Sequence, residues 1–241
     1  MKTSTTLDVL QGSEEWDKAR ALISTASEYD KIFTGGGKKS SQAEAYMRKL
    51  SIATKYSVPS FQGNQYTDRG HELEPVARER FAEASGFDVR EAGFEVKGGG
   101  RTGCSPDGLI YNGAGEAVAG LEIKCFGVDK HLTITNKGVC PTAQKAQVHG
   151  SLSVTGLEAW VLVYYCPEAF PLDLTIFEVT PDRYTQQLDN AVESFCDDHQ
   201  ANWQQYLAEY EVDMLDQKIE RQAPVTLGLV GRVHEYETTI I

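Results

Sequence analysis

Two short segments of the chain carry side chains of the kind that hydrolysis needs. Cys104-Ser-Pro-Asp-Gly108 puts Asp107 in a tight turn at a strand end, and Leu121-Glu-Ile-Lys-Cys125 follows at a distance that suits a hairpin. Side chains alternate along a strand, so Glu122 and Lys124 share one face while Leu121, Ile123 and Cys125 share the opposite, apolar one. Two carboxylates from neighbouring strands can hold Mg²⁺, which takes oxygen ligands and keeps waters. A lysine beside them can orient or deprotonate a water for attack on phosphorus, or stabilise the charge that develops there. A bare Glu-x-Lys is also common on amphipathic strands, where it is no more than a surface ion pair. The Pro106-Asp107-Gly108 turn ahead of it weighs toward the chemical reading.

The elements that must position these groups can be read in outline. Ser13 is placed to cap a first helical turn carrying Glu14 and Glu15. Thr25-Ala-Ser-Glu28 and Ser41-Gln-Ala-Glu44 read as capping boxes, with helices running to about Phe33 and Lys55. A longer helix is expected from about Thr67 to Ser85, kinked or ragged at Pro75 and stopped by Gly86. The middle reads as a β-meander with strands Phe87–Lys97, Thr102–Tyr111 and Ala117–Cys125. A helix over Thr142–Val154, strands Trp160–Tyr165 and Leu174–Val179, and a polar helix from Pro181 to about Glu209 complete the pattern. The stretch from Gln222 reads as irregular. The expected fold class is α/β, a central mixed sheet flanked by helices.

The chain has 241 residues and a formal charge of −12, enough length for one domain with a full core. That charge speaks against a phosphate-rich partner until it is located. Residues 1–150 hold 19 basic and 19 acidic side chains, whereas residues 151–241 hold 4 and 16. The first 150 residues can therefore still present a basic face. Cys104, Cys125, Cys140, Cys166 and Cys196 form no CxxC pair, so neither a zinc ribbon nor an iron–sulfur cluster is indicated, and five reduced, mostly buried thiols are expected. No signal-peptide or membrane-spanning pattern is present, so a cytoplasmic protein is expected.

Five ordered segments give the chain its family resemblance. They are Trp16…Arg20-Ala-Leu-Ile-Ser-Thr-Ala-Ser27, Gly70-His-Glu-Leu-Glu74, Cys104-Ser-Pro-Asp-Gly-Leu109, Leu121-Glu-Ile-Lys-Cys125 and Ala146-Gln-Val-His-Gly150. Over about residues 10–165 the chain resembles the lambda-exonuclease, or YqaJ-type, alkaline exonucleases of the PD-(D/E)xK nuclease superfamily. The resemblance implies a restriction-endonuclease-like core within one exonuclease domain over 1–241. Residues 1–65 would bind the DNA end, 66–180 form the catalytic core, and 181–241 an acidic helix and tail. It implies Glu74, Asp107 and Glu122 as metal ligands, Lys124 acting on the attacking water, and Gln147 contacting that water or the substrate. Arg20, Ser27 and Ser105 would hold a terminal 5′-phosphate, Arg20 through its bidentate fork. The implied activity is Mg²⁺-dependent (Mn²⁺ as a substitute) 5′-to-3′ digestion of one strand of linear double-stranded DNA. Mononucleotides would be released and a 3′ single-stranded tail left behind. A homotrimeric ring, a single-strand annealing protein as partner, and a phage or prophage origin in a bacterial host are implied as well.

The pattern is not matched throughout. His149 stands where the family pattern has a glutamine, and Gly150 replaces an aromatic residue. His149 reads either as a group titrating near neutral pH or as packing under the sheet, and His71 as a bland neighbour of the acidic pair. Two other readings share the fold: a restriction- or repair-type endonuclease, and a DNA-end binder without catalysis. An endonuclease needs no end pocket, and a non-catalytic binder would be expected to have lost one of Glu74, Asp107, Glu122 or Lys124.

Overall fold

The computed structural model describes residues 2–9, 12–56 and 65–222, with the side chains of 65–68 and 212–222 outside the description. The chain opens with a short strand, β1 (Thr5–Leu7), and a two-turn helix, α1 (Glu14–Ala21). Ser13 starts α1 as expected, its hydroxyl accepting from the Trp16 N–H at 3.2 Å. The helix expected from Thr25 is instead a two-residue strand, β2 (Ser24–Thr25), followed by a 3-10 helix, Ala26–Lys31. Thr25 makes no side-chain cap there; its backbone is committed to a sheet. Helices α2 (Ala43–Tyr56) and α3 (Gln65–Ser85) follow, α3 running past Pro75 without ending.

The expected meander is the main correction. Phe87–Lys97 is two strands, β3 (Asp88–Arg90) and β4 (Phe94–Val96), and Thr102–Tyr111 is also two, β5 (Thr102–Cys104) and β6 (Gly108–Tyr111). β4 and β5 belong to a four-stranded sheet of order β1-β4-β5-β2, while β3 and β6 belong to a separate five-stranded sheet. Pro106 has no N–H to donate to a ladder, and the chain changes sheets at Ser105-Pro106-Asp107. Gly93, between β3 and β4, lies so close to the Leu7 carbonyl that a Cβ would collide with it.

Strand β7 (Ala117–Cys125) has its expected bounds, and helix α4 (Val128–Lys137) follows it without having been foreseen. A short 3-10 turn over 142–144 precedes α5 (Lys145–Thr155), and strands β8 (Ala159–Tyr165) and β9 (Leu174–Val179) lead to α6 (Arg183–Gln222). α6 continues well past the expected end near Glu209. The irregular stretch expected from Gln222 falls outside the described residues beyond 222. The five-stranded sheet has the order β3-β6-β7-β8-β9, with β7 and β8 parallel and the other pairs antiparallel. A central mixed sheet flanked by helices is thus present. Among the described residues no helix is long and apolar enough to cross a membrane.

Alternation on β7 and β8 divides the core. Leu121, Ile123, Val161 and Val163 pack with Ala77 and Phe81 of α3 on one face. Trp160, Leu162 and Tyr164 join residues of α5 and α6 on the other. Each fully buried aliphatic side chain here stabilises the fold by about 1.5–3 kcal/mol. Glu122 points to the α5 face, where the apolar layer ends and a cleft begins.

Candidate active site

Strand register builds the site. Asp107 immediately precedes the first β6–β7 pair, Gly108↔Leu121, and Glu122 immediately follows it on the antiparallel partner, so both carboxylates come to the same end of the ladder. Its N–H donates to the Leu121 carbonyl at 3.0 Å, and its Oδ2 accepts from the Ile123 N–H at 2.6 Å. On the other sheet β2 and β5 run parallel with Thr25 opposite Gly103. Ser27 and Ser105 each lie two residues beyond that pair, past the ends of their strands, and both line the cleft. The cleft between these strand ends has a volume of about 280 Å³. Glu74, Asp107, Glu122, Lys124 and Gln147 line it together with Arg20, Ser27 and Ser105. All eight residues singled out from the sequence meet there.

The cleft crowds negative charge. Asp107 and Glu122 are 8% and 2% exposed, and Glu74 is half-buried. Burial, then the charges of Glu122 and Glu74, push the Asp107 carboxyl well above the ordinary carboxylate range. Glu74 is raised as well, chiefly by burial, with Arg78 offsetting part of the effect. Glu122 Oε1 accepts from Lys124 Nζ and from Gln147 Nε2, each at 2.6 Å. Burial alone would lower the Lys124 pKa, but Glu122 and Asp107 outweigh it and the net shift is upward. Lys124 is therefore an ammonium ion in this arrangement.

Among the described residues, no three His, Cys, Asp or Glu side chains stand close enough to close round a metal as they are. The protein's own cations and amide occupy the carboxylates instead: Lys124 and Gln147 on Glu122, and Arg78 on Glu74 at 2.8 Å. The donor chemistry nonetheless suits a hard divalent cation. The acids present only oxygen, and their mutual repulsion is what a bound cation would relieve. The neighbouring Cys125 thiol, pushed up to about 12 chiefly by burial, stays protonated and offers no soft thiolate.

At the other end of the cleft Arg20 Nη2 donates to Ser27 Oγ at 3.1 Å, and Ser27 lies 3.3 Å from Thr25 Oγ1. Burial lowers the Arg20 pKa slightly, while Glu28 and Asp17 support its charge. A guanidinium from α1 and two hydroxyls just past strand ends thus line this part of the cleft, donors of the kind an anion accepts from.

A family model for the YqaJ-like viral recombinase domain matches residues 15–158, more than half of the chain. The chain belongs to that family. Its structure is similar to that of an alkaline exonuclease from Laribacter hongkongensis, at 25% identity over 88% of this chain and 100% of that one, with a TM-score of 0.67. The same exonuclease in complex with dAMP aligns over the same shares with a TM-score of 0.65. A phage-related exonuclease from Haemophilus somnus 129PT shares the fold at 16% identity, over 80% of this chain and 99% of its own, with a TM-score of 0.58. No curated protein matches the chain.

Within this YqaJ-like domain the two departures have structural causes. His149 does not line the cleft; it is 4% exposed, its Nδ1 sits 2.7 Å from Thr185 Oγ1, and its ring meets Tyr184 edge-on. Of its two readings, packing under the sheet is the one the fold supports. Gly150 makes room for the Tyr29 ring, which lies where a Cβ would be. His71 lines the cleft and is exposed. Two residues at the site went unassigned from sequence. Trp16 lies under the Arg20 guanidinium, 4.1 Å from carbon to ring centroid, and donates from its indole N–H to Ser105 Oγ at 2.9 Å. Arg78 bridges Glu74 and the Asp107 carbonyl, the latter at 2.6 Å. The i,i+4 spacings of Trp16 to Arg20 and of Glu74 to Arg78 were the available signals.

Proposed function

We propose that this chain is a divalent-metal-dependent exonuclease that digests one strand of linear double-stranded DNA from 5′-phosphorylated ends, in the 5′-to-3′ direction. The observation that carries the reading is the sharing of one cleft by a carboxylate–lysine group and an anion cradle. Ser105 and Asp107 are two residues apart, about 7 Å of extended chain, so a terminal phosphate and the bond to be cut can be a nucleotide step apart. The likeness to an alkaline exonuclease, one structure of which is in complex with dAMP, supports a mononucleotide product.

In this reading Arg20, Ser27 and Ser105 hold the end phosphate, and Glu74, Asp107 and Glu122 hold Mg²⁺, with Mn²⁺ a substitute. The bound ions supply Lewis acidity toward the attacking water and charge neutralisation at the leaving 3′-oxygen. Lys124, kept protonated beside Glu122, donates a hydrogen bond and positive charge to the reacting centre. Gln147, fixed on Glu122, presents its amide to the water or the substrate. Asp107 is held rigid by the Ile123 and Leu121 backbone, which keeps the geometry constant from one cut to the next. Membership of a viral recombinase family supports a place in DNA recombination. The 3′ tail would pass to a single-strand annealing protein, and a homotrimeric ring round the duplex would retain the enzyme on its strand.

The test is digestion of linear duplex bearing 5′-phosphate or 5′-hydroxyl ends, with and without Mg²⁺, beside covalently closed circular plasmid. Mononucleotide release that requires Mg²⁺ and is fastest from phosphorylated linear ends is expected. Efficient cutting of the closed circle, or release without a divalent ion, would overturn the proposal. Sedimentation of the purified chain at micromolar concentration tests the trimer directly.

A further inference from the structure

Trp16 has no acid–base or metal chemistry of its own, yet the end-binding groups converge on it. α1 carries it one turn before Arg20, and that spacing sets the guanidinium over the indole, its carbon 4.1 Å from the ring centroid. The ring is 8% exposed and lies between α1 and the turn that follows β5, where its N–H reaches Ser105 Oγ at 2.9 Å. One side chain thus ties the cation of the cradle to one of its two hydroxyls.

The direction of these bonds matters. An indole N–H only donates, so Ser105 must accept from it, and the Ser105 proton is left to be donated elsewhere. Arg20 likewise only donates, which makes Ser27 an acceptor toward it. A terminal phosphate accepts hydrogen bonds and offers none once it is a dianion. Hydroxyls already satisfied as acceptors and turned outward as donors are therefore what it requires.

The geometry points to Trp16 as a positioning residue that sets the preference for phosphorylated over hydroxyl ends, by holding the Arg20 guanidinium over its ring and fixing Ser105 as a donor. The inference rests on the end-phosphate reading of Arg20, Ser27 and Ser105 given above. It assigns to Trp16 no contact with the reacting bond.

The experiment compares kcat/KM on linear duplex with 5′-phosphate and 5′-hydroxyl ends for the wild type, Arg20→Ala, Trp16→Phe, Trp16→Leu, Ser105→Ala and the Trp16→Phe/Ser105→Ala pair. Thermal melts accompany each variant. Trp16→Phe keeps a ring under Arg20 but loses the N–H, and is expected to lower the phosphate-to-hydroxyl ratio about tenfold. Trp16→Leu removes both supports and should bring the ratio close to that of Arg20→Ala. Adding Trp16→Phe to Ser105→Ala should cost little beyond Ser105→Ala alone, because the indole bond has already gone with the hydroxyl. A wild-type ratio in both Trp16 variants would overturn the inference. So would an equal fall on both end types, the mark of a merely packed residue. If Trp16→Leu does not melt cooperatively, Trp16→Phe and the double variant decide the matter. A wild type indifferent to end chemistry would overturn the end-phosphate reading itself, and this inference with it. Loss of preference in Arg20→Ala with preference kept in Trp16→Phe would overturn the role of Trp16 alone.

Discussion

Glu122 is 2% exposed and accepts from both Lys124 and Gln147, so removing either donor leaves a buried acceptor short of a partner. Lys124→Ala removes the cation that, among the described residues, touches it and should lower single-turnover mononucleotide release by about 100-fold or more, with the protein still folded by circular dichroism. Glu122→Gln should be as inactive and should report on metal binding separately. Millimolar Mg²⁺ is expected to raise the melting temperature of the wild type, because a ligand bound only by the folded chain stabilises it. Glu122→Gln should show little or none of that shift; an equal shift in both proteins would remove Glu122 from the ligand set. At this scale the sequence was highly legible. Strand alternation alone put Glu122 and Lys124 on one face, and the ordered segments led to the other six side chains in the cleft. Trp16 and Arg78 were not assigned roles, because their function lies in what they hold rather than in groups that react. A tryptophan in a capped helix and an arginine four residues after a glutamate each have an ordinary explanation until the partner strand is seen.

At the scale of elements, the anion cradle depends on the approach of the 3-10 helix that follows β2 to α5. Tyr29 of that helix lies over Gly150, and any Cβ at 150 would meet its ring closer than carbon atoms can pack. Gly150→Ala should therefore cost about 1–3 kcal/mol by overpacking, read as a lower urea midpoint. By pushing aside the segment that bears Ser27, it should also reduce the preference for phosphorylated ends. A variant as stable and as selective as the wild type would show that the helix can shift without disturbing the cradle. The long strands β7 and β9 were legible because their pattern is continuous and bounded by turn residues. The division of the supposed meander was not. The Pro106-Asp107-Gly108 turn marked an interruption within 102–111, but nothing in the residue types told that the strands on its two sides belong to different sheets. Strands of two or three residues, such as β1 and β2, are too short to show a period at all.

For the molecule as a whole, the acidity of the second half has found partners in the first. Asp189, Glu193 and Asp197 on α6 pair with Lys97 and Arg101 beside the β4–β5 turn, so part of the −12 binds the long helix to the four-stranded sheet. Two histidines on α5 and α6 link stability to pH. Burial holds both His149 and His199 below the usual value, against the opposing pull of Asp182 and Asp198. Between those lowered values and about 6.5 the unfolded chain binds more protons than the folded one, so their contribution is complete above that range and lost as pH falls through it. The raised Asp107 and Glu74 carboxyls contribute the opposite slope, and they do so equally in a histidine variant. The comparison is therefore made by difference: His149→Gln should lose less stability than the wild type between pH 7 and 5, measured by urea midpoint. Parallel curves would place His149 outside the acid response. The change of sheets at Pro106 has a consequence for how such enzymes can diversify. In the proposed reading, Ser105 follows the last residue of β5 in one sheet, Asp107, Glu122 and Lys124 belong to the end of the other, and a three-residue seam joins them, while Arg20, Glu74 and Gln147 are delivered by helices. On that reading, selection or a designer can alter the first sheet and α1 to change which ends are admitted while Asp107, Glu122 and Lys124 are inherited intact.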